Sequence, residues 1–122
     1  MSFTLNKSTG TQTAVIGTEH TLLTETTSGV FVLFVDLAVL AAGDIVELRA
    51  YTKVHTGDAN PFLIFEQSYA NIQGDGAAPG SSAAGPVHVK SPPIESPFSL
   101  VWTLKQVAGT GRSFEWREDQ LA

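Results

Sequence analysis

Residues 98–116 read FSLVWTLKQVAGTGRSFEW, an aromatic-rich run with one glycine-containing interruption. Leu100, Trp102 and Leu104 occupy every second position of the first half. Because successive side chains of a β-strand point to opposite faces, this period of two places all three on one face of a strand. The stretch therefore predicts a strand that buries one face, which is the pattern that decides the fold class.

The glycines that follow predict a turn into a second strand. Gly109 and Gly111 flank a threonine, and glycine adopts the positive φ angles that tight hairpin loops require. Phe114 and Trp116 then resume the spacing of two. We expect a closing β-hairpin here, with the two strands paired to each other.

The rest of the chain repeats short extended segments separated by glycine and proline. Residues 44–54 alternate most cleanly, and the face that we expect to be buried comprises Val46, Leu48, Ala50, Thr52 and Val54. No segment keeps a helical period over three turns. The sequence therefore predicts an all-β fold, a compact β-sandwich or jelly-roll-like domain of about seven to eight short antiparallel strands.

The length of the chain, 122 residues, fits one domain over residues 1–122. Residues 73–96 stand apart in composition, because their first half is rich in glycine, alanine and serine. Pro92 and Pro93 follow, and proline lacks the backbone donor that a central strand needs. We expect a flexible Gly/Ala/Ser/Pro-rich excursion over 73–96 that reaches a neighbouring subunit.

Composition limits the classes of partner. The net charge is −5, and the seven basic residues are scattered between Lys7 and Arg117, so we expect no nucleic acid. The most apolar run, residues 30–40, is broken by Asp36 and is too short to span a bilayer, so we expect no membrane. Charged residues make up only 16%. Two interpretations remain open: an exterior partly buried against partners, or a small β-domain with a Ser/Thr surface.

No constellation of residues predicts catalysis or a metal. His20, His55 and His88 lie in separate segments without metal-ligand spacing, and cysteine is absent. Asp58 and Asp75 lie in glycine-containing loops, where aspartate is typical of turns. We therefore expect no cofactor, no metal and no enzymatic activity.

The acidic residues near the end of the chain are expected to be solvated. Glu115, Glu118 and Asp119 are the residues in question, and a pair of catalytic carboxylates is the less favoured interpretation.

Aromatic residues are expected mostly in the core, with Trp116 as the exception. It stands among charged neighbours, as an interface anchor often does. The candidate interface residues are Phe62, Phe65, Trp102, Arg112, Phe114, Trp116, Pro92 and Pro93.

Four segments carry a resemblance to a known group of proteins. Together with Asp36-Leu37, the segments TEHTL at 18–22, GVFVL at 29–33, GDIVELR at 43–49 and LKQVAGTGRSFEW at 104–116 resemble small virion proteins of tailed bacteriophages, the capsid decoration (cement) proteins. The resemblance spans most of the chain except 73–96, and it rests on structural patterns rather than on a catalytic signature.

This resemblance implies a compact β-domain that forms a homo-oligomer, with a trimer favoured over a dimer. It implies binding to the outer surface of the major capsid protein lattice, which the decoration protein stabilises. The protein is then made in the host bacterial cytoplasm and located on the outer capsid surface of the virion. Such a role needs sheet edges and an apolar patch rather than an active site.

Two alternatives belong to other functional classes. The first is a tail or fibre module that binds a host-surface glycan through Trp116 and the glycine-rich loop. The second, less favoured, is a cupin-like metal enzyme that uses the three histidines.

Overall fold

The computed structural model describes residues 4–70 and 88–122, which form two antiparallel β-sheets without any helix. The predicted all-β fold is confirmed. The strands are β1 Thr4–Thr13, β2 Glu19–Glu25, β3 Gly29–Asp36, β4 Ile45–Thr52, β5 Phe62–Ala70, β6 His88–Lys90, β7 Ile94–Ser96, β8 Leu100–Ala108 and β9 Ser113–Gln120. No helix within these residues is long and apolar enough to cross a membrane.

The strand order is that of a jelly roll. One sheet, sheet A, runs β1-β9-β3-β6, with β7 also paired to β3, and the other, sheet B, runs β2-β8-β4-β5. Consecutive strands lie in different sheets except at β4–β5 and β6–β7. The alternation between sheets therefore brings the first strands of the chain next to the last, with β1 against β9 and β2 against β8.

Strands β6 and β7 fill a single strand position at the edge of sheet A. β6 pairs with the second half of β3 and β7 with the first half. Between them, Ser91 keeps contact with Leu33: its backbone N–H donates to the Leu33 carbonyl at 2.9 Å, and its hydroxyl accepts the Leu33 N–H at 3.0 Å. Pro92 and Pro93 follow at this edge, where missing backbone donors are tolerated.

This edge differs from the expected excursion over 73–96. Residues 88–96 belong to the sheet, and Val89 and Ile94 are buried against the core. The alternation of buried and exposed side chains survives in these short strands, although the prolines hide it in the sequence. Residues 73–87 lie outside the described part of the chain.

The core lies between the two sheets, where alternate side chains meet. Trp102 and Leu104 of β8 face Phe31 of β3 and Phe114 of β9, and all four are fully buried. The predicted buried face of β4 is confirmed from Val46 to Thr52. The prediction that Val54 lies on that face is wrong, since the strand ends at Thr52 and Val54 is 74% exposed.

The predicted closing hairpin is wrong. β8 lies in sheet B and β9 in sheet A, so the two strands face each other across the core instead of pairing edge to edge. Both strands carry alternating large apolar side chains, and stacking two sheets buries both sets at once.

Each loop glycine has its own structural reason. Gly109 has a φ of 91°, as a tight turn requires, and a Cβ there would overlap the Asp44 carboxylate. Gly111 is needed for close packing, since a Cβ would lie 2.6 Å from the Ala14 carbonyl oxygen.

Candidate interaction surfaces

Large apolar side chains are exposed together at one corner of sheet B. Phe62, Leu63 and Ile64 begin the edge strand β5 and are 64%, 52% and 54% exposed, and Val54 lies in the loop that precedes β5. We call these four residues the β5 corner. Single exposed apolar residues are ordinary, but three consecutive ones at a strand end make the corner a candidate interaction site.

The backbone at this corner is available as well. Within the described residues no strand pairs with the outer edge of β5 around residues 62–64. Ala50 pairs with Phe65 and Tyr51 with Leu63, which leaves Ile64 as the extra residue of a β-bulge. A bulge interrupts the regular alternation of side chains along an edge strand, and it does so here next to the exposed residues.

The loop that leads into the corner is held by a turn. The Asp58 carboxylate accepts the backbone N–H groups of Val54 and His55 at 3.2 and 3.1 Å. The interpretation of Asp58 as a turn former is therefore confirmed, and Asp75 lies outside the described residues.

A second surface is an open groove on the outer face of sheet A. Its volume is about 210 Å³. It crosses four strands and is lined by Thr9, Phe34, Val35, Asp36, His88, Glu115, Trp116 and Arg117. We call it the outer groove.

The outer groove combines an aromatic ring, a cation and carboxylates. The Arg117 guanidinium lies 4.2 Å above the centre of the Phe34 ring, and its Nε is 3.3 Å from the Asp119 carboxylate. His88 Nε2 is 3.5 Å from Asp36, which also accepts the Ala38 backbone N–H. The groove therefore offers both hydrogen-bonding groups and a stacked planar cation to a polar ligand.

A buried polar cluster holds the β8–β9 loop. Asp44 is 1% exposed and accepts the Ala41 and Thr110 backbone N–H groups at 2.9 and 3.0 Å and Arg112 Nε at 2.8 Å. Gln106, also fully buried, donates to the Thr110 carbonyl at 2.7 Å and accepts the Arg112 backbone N–H at 3.1 Å. We call Asp44, Gln106 and Arg112 the loop cluster.

The loop cluster stabilises the ionised form of its one carboxylate. Burial alone would raise the pKa of Asp44, but the Ala41 and Thr110 N–H groups together with the Arg112 guanidinium hold this pKa below its ordinary value. Arg112 is therefore a structural partner of Asp44 rather than a free interface cation.

The outer face of sheet B carries an exposed ion-pair network. Arg49 contacts Glu66 at 2.6 Å, Glu47 at 2.9 Å and Glu19 at 3.3 Å. Tyr51 and Thr103 donate hydroxyl hydrogen bonds to Glu19 at 2.5 and 2.6 Å. Burial would raise the pKa of Glu19, but these hydroxyls and Arg49 lower it. The mutual satisfaction of its members favours a solvated structural face.

Two of the candidate interface residues are corrected by burial. Trp102 and Phe114 are each 0% exposed and lie in the core, so no partner can reach them. Phe62 is exposed at the β5 corner, whereas Phe65, half-buried on the same strand, packs against the core.

The remaining candidates lie at the surface in different places. Trp116 is half-buried, packs against the core beside Gly10, and also lines the outer groove. Pro92 and Pro93 are exposed at the edge of sheet A. The structure therefore does not bring the candidate interface residues together into one patch.

The acidic residues of β9 also differ from expectation. Glu115 is exposed, but Glu118 and Asp119 are 0% and 4% exposed, so the predicted solvated terminal face is wrong for both. Glu118 continues the inward spacing of Phe114 and Trp116, which is the sequence signal that identifies its direction.

The three histidines lie apart. His20 accepts the Val15 backbone N–H, His55 belongs to the loop before the β5 corner, and His88 borders the outer groove. No group of three or more metal-ligating side chains occurs in the portion of the chain that the structure describes.

Comparison with known proteins yields no relative: no family model, no curated protein and no solved structure matches this chain.

Proposed function

We propose that this chain is a structural virion protein, a capsid decoration protein that binds the outer surface of a major capsid lattice and stabilises it. The β5 corner carries this proposal, because it combines three consecutive exposed apolar side chains, those of Phe62, Leu63 and Ile64, with an edge strand. The resemblance of four sequence segments to decoration proteins supports the same role. No catalytic step is part of the proposal.

The β5 corner suits protein contact in two ways. Phe62 supplies an aromatic anchor of the kind that dominates contact energy, and the edge backbone supplies hydrogen bonds for strand addition. A decoration protein binds in many copies, so that weak contacts at each site sum through avidity when the copies are linked in an oligomer. We propose a homo-oligomer, with a trimer favoured.

Charge substitution at the corner tests the proposal. Leu63→Glu places a carboxylate on the exposed face and leaves the core untouched. The matched control is Val39→Glu, at a 44% exposed apolar residue in the loop at the opposite end of β4. The measurements are co-sedimentation with undecorated capsids and the oligomeric mass by analytical ultracentrifugation.

We expect Leu63→Glu to weaken capsid binding by at least tenfold, and the control to bind as the parent does. If Leu63→Glu keeps both its capsid binding and its oligomeric mass, the β5 corner is not the contact surface. A parent protein that neither binds capsids nor self-associates would overturn the decoration role itself.

The outer groove favours a second candidate, a tail or fibre module that binds a host-surface glycan. Sugars are recognised by carboxylates and guanidinium groups that hydrogen-bond hydroxyls beside an aromatic surface, and the groove presents Asp36, Arg117 and Phe34 together. The test is an NMR titration with host-derived oligosaccharides. Arg117→Ala is expected to abolish the shifts and Glu95→Gln, at the one exposed position of β7, to keep them.

A further inference from the structure

Two glutamates meet inside the sandwich at the end opposite the loop cluster. Glu118 projects inward from β9 of sheet A, and Glu25 is the last residue of β2 in sheet B. They are 0% and 5% exposed. A pair of carboxyl groups so far from water is costly unless its charge is compensated and each oxygen has a partner.

Three of the four carboxyl oxygens have partners without any shared proton. Trp102 Nε1 donates to Glu118 Oε2 at 2.8 Å. The Thr27 backbone N–H donates to Glu25 Oε2 at 2.9 Å, and the Lys7 ammonium lies 3.4 Å from Glu25 Oε1. Glu118 Oε1 alone has no donor among the described residues, and the carboxyl group of Glu25 lies within hydrogen-bonding reach of the Glu118 carboxyl group.

A hydrogen bond between two carboxyl groups requires one proton. If Glu118 is a neutral acid, its Oε1–H donates to the Glu25 carboxylate, and every oxygen of the pair is then satisfied. One negative charge remains, on Glu25, opposite the one positive charge of Lys7. Without the proton, two negative charges face one ammonium in a water-excluded space.

We propose that Glu25 and Glu118 share a single proton that locks sheet A to sheet B at this end of the sandwich, so that the lock weakens as the pH rises through the neutral range. The proton joins β2 to β9, and Lys7 extends the link to β1. This device is independent of whether the chain decorates capsids.

The surroundings fix the direction of the effect. Burial and the neighbouring Glu25 raise the pKa of Glu118 to about 8, while the Trp102 and Lys7 contacts oppose the rise. Burial would also raise the pKa of Glu25, but the hydrogen bonds from Glu118 and Thr27 and the charge of Lys7 lower it. The pair therefore keeps one proton up to the folded pKa of about 8, at pH values where both glutamates of an unfolded chain are already ionised.

No other described charge is known to compensate the pair. β8 and β3 contribute Trp102 and Leu33 beside Glu118, and neither side chain titrates. Arg117 and Asp119 lie on the opposite face of β9, where they contact each other.

Glu118→Gln is the matched substitution. The amide keeps the shape, donates to Glu25 and accepts from Trp102, and it cannot lose a proton. Because the folded wild type binds one proton more than the unfolded chain, its folding equilibrium constant falls about tenfold per pH unit between about pH 5.5 and 7.5 from this pair alone. We expect that one-proton slope to be missing from Glu118→Gln, measured by urea denaturation across pH 5 to 9 (roughly the window set by these pKa values).

The control is Glu115→Gln, which removes a carboxylate from the solvent face of the same strand and should keep the wild-type slope. Equal slopes in wild type and Glu118→Gln would overturn the proposal. Infrared spectroscopy of the wild type supplies a second test that no variant's folding can confuse. A protonated carboxyl band at neutral pH, lost above the pKa, is expected, and its absence would overturn the proposal equally.

Lys7→Met separates the shared proton from simple burial. Removing the ammonium makes the second negative charge harder to accommodate, so the infrared band should persist to higher pH than in the wild type. An unchanged midpoint would show that the pair is not coupled to β1 and would overturn that part of the lock.

Discussion

The two ends of the sandwich bury carboxylates in opposite ways. At the loop cluster, Asp44 is ionised and surrounded by donors, two backbone N–H groups and one guanidinium. At the other end, Glu25 and Glu118 have fewer donors than oxygens and make up the difference with a proton. At the loop cluster, protein groups alone donate to the carboxylate. At the other end, part of the stability depends on a proton taken up from solution. Buried acids in one small domain can thus respond to pH with opposite sign.

The largest expected effect is loss of the loop cluster's carboxylate. Asp44→Ala leaves two backbone N–H groups and the partly exposed Arg112 guanidinium without their acceptor, and we expect a loss of about 4 kcal/mol of the free energy of unfolding, chiefly from the two unsatisfied backbone donors. Urea denaturation at neutral pH measures it. Glu95→Gln, an exposed change, is the control, and a loss no larger than the control's would show that the two ends are not different in kind.

Gly109 tests the same cluster through the backbone. Gly109→Ala combines a strained φ of 91° with a Cβ that overlaps Asp44, so we expect a loss of about 3 kcal/mol. Gly17→Ala has a similar φ of 84° but open space around the Cβ, so it should lose only about 1 kcal/mol. If thermal or urea melts give equal losses for both, the contact with Asp44 contributes nothing beyond strain.

Acid titration sharpens the contrast between the ends. The pKa of Asp44 is lowered in the folded chain, so its contribution is present above the unfolded pKa and is lost as the pH falls through the folded one. Asp44→Asn should therefore flatten the acid limb of stability by up to about 1.4 kcal/mol per pH unit below about pH 4. The decline at neutral pH, which belongs to Glu118, should persist in this variant. An unaltered acid limb would contradict the assignment.

The smallest effect is expected on the outer face of sheet B. Glu19→Gln removes one carboxylate from the network around Arg49, and because this network is partly exposed to solvent the loss should be about 0.5 kcal/mol. It should shrink further at high salt, when urea melts are compared at low and high ionic strength. A loss comparable to that of Asp44→Ala would show that solvent exposure does not determine how much the Arg49 network and the loop cluster each contribute to stability.

Local patterns in the sequence predicted the strands well. The alternation of Leu100, Trp102 and Leu104 and of Val46 to Thr52 is a property of neighbouring residues, and both faces are buried as predicted. The exposure of Phe62 is likewise consistent with a place at an interface. The prediction that Trp102 and Phe114 lie at an interface is wrong, since both are buried. The sequence could not show this, because large aromatic side chains are typical of both cores and interfaces.

Local sequence patterns did not predict which strands pair with each other. The glycine loop after Ala108 favours a hairpin by itself, but the loop is held by Asp44, which is distant in sequence. Glu118 was expected in solvent on the strength of its charge, although its spacing from Phe114 points inward. At this position the charge of the residue predicted exposure and the spacing predicted burial, and the spacing was correct.

The positions of the last two strands have a consequence for how the chain folds. β8 lies between β2 and β4, and β9 lies between β1 and β3, so the last two of the described strands in chain order are central strands of the two sheets. Until they emerge, β1 and β2 have no ladder partner among the described strands, and only the β4–β5 hairpin and the short pairs on β3 can form. Folding therefore requires contacts between residues that are far apart in the sequence. Such contacts make folding slow, with a folding time on the order of milliseconds to seconds for a domain of this size. During that interval the apolar faces of the early strands are exposed, and the nascent chain is at its most prone to aggregate.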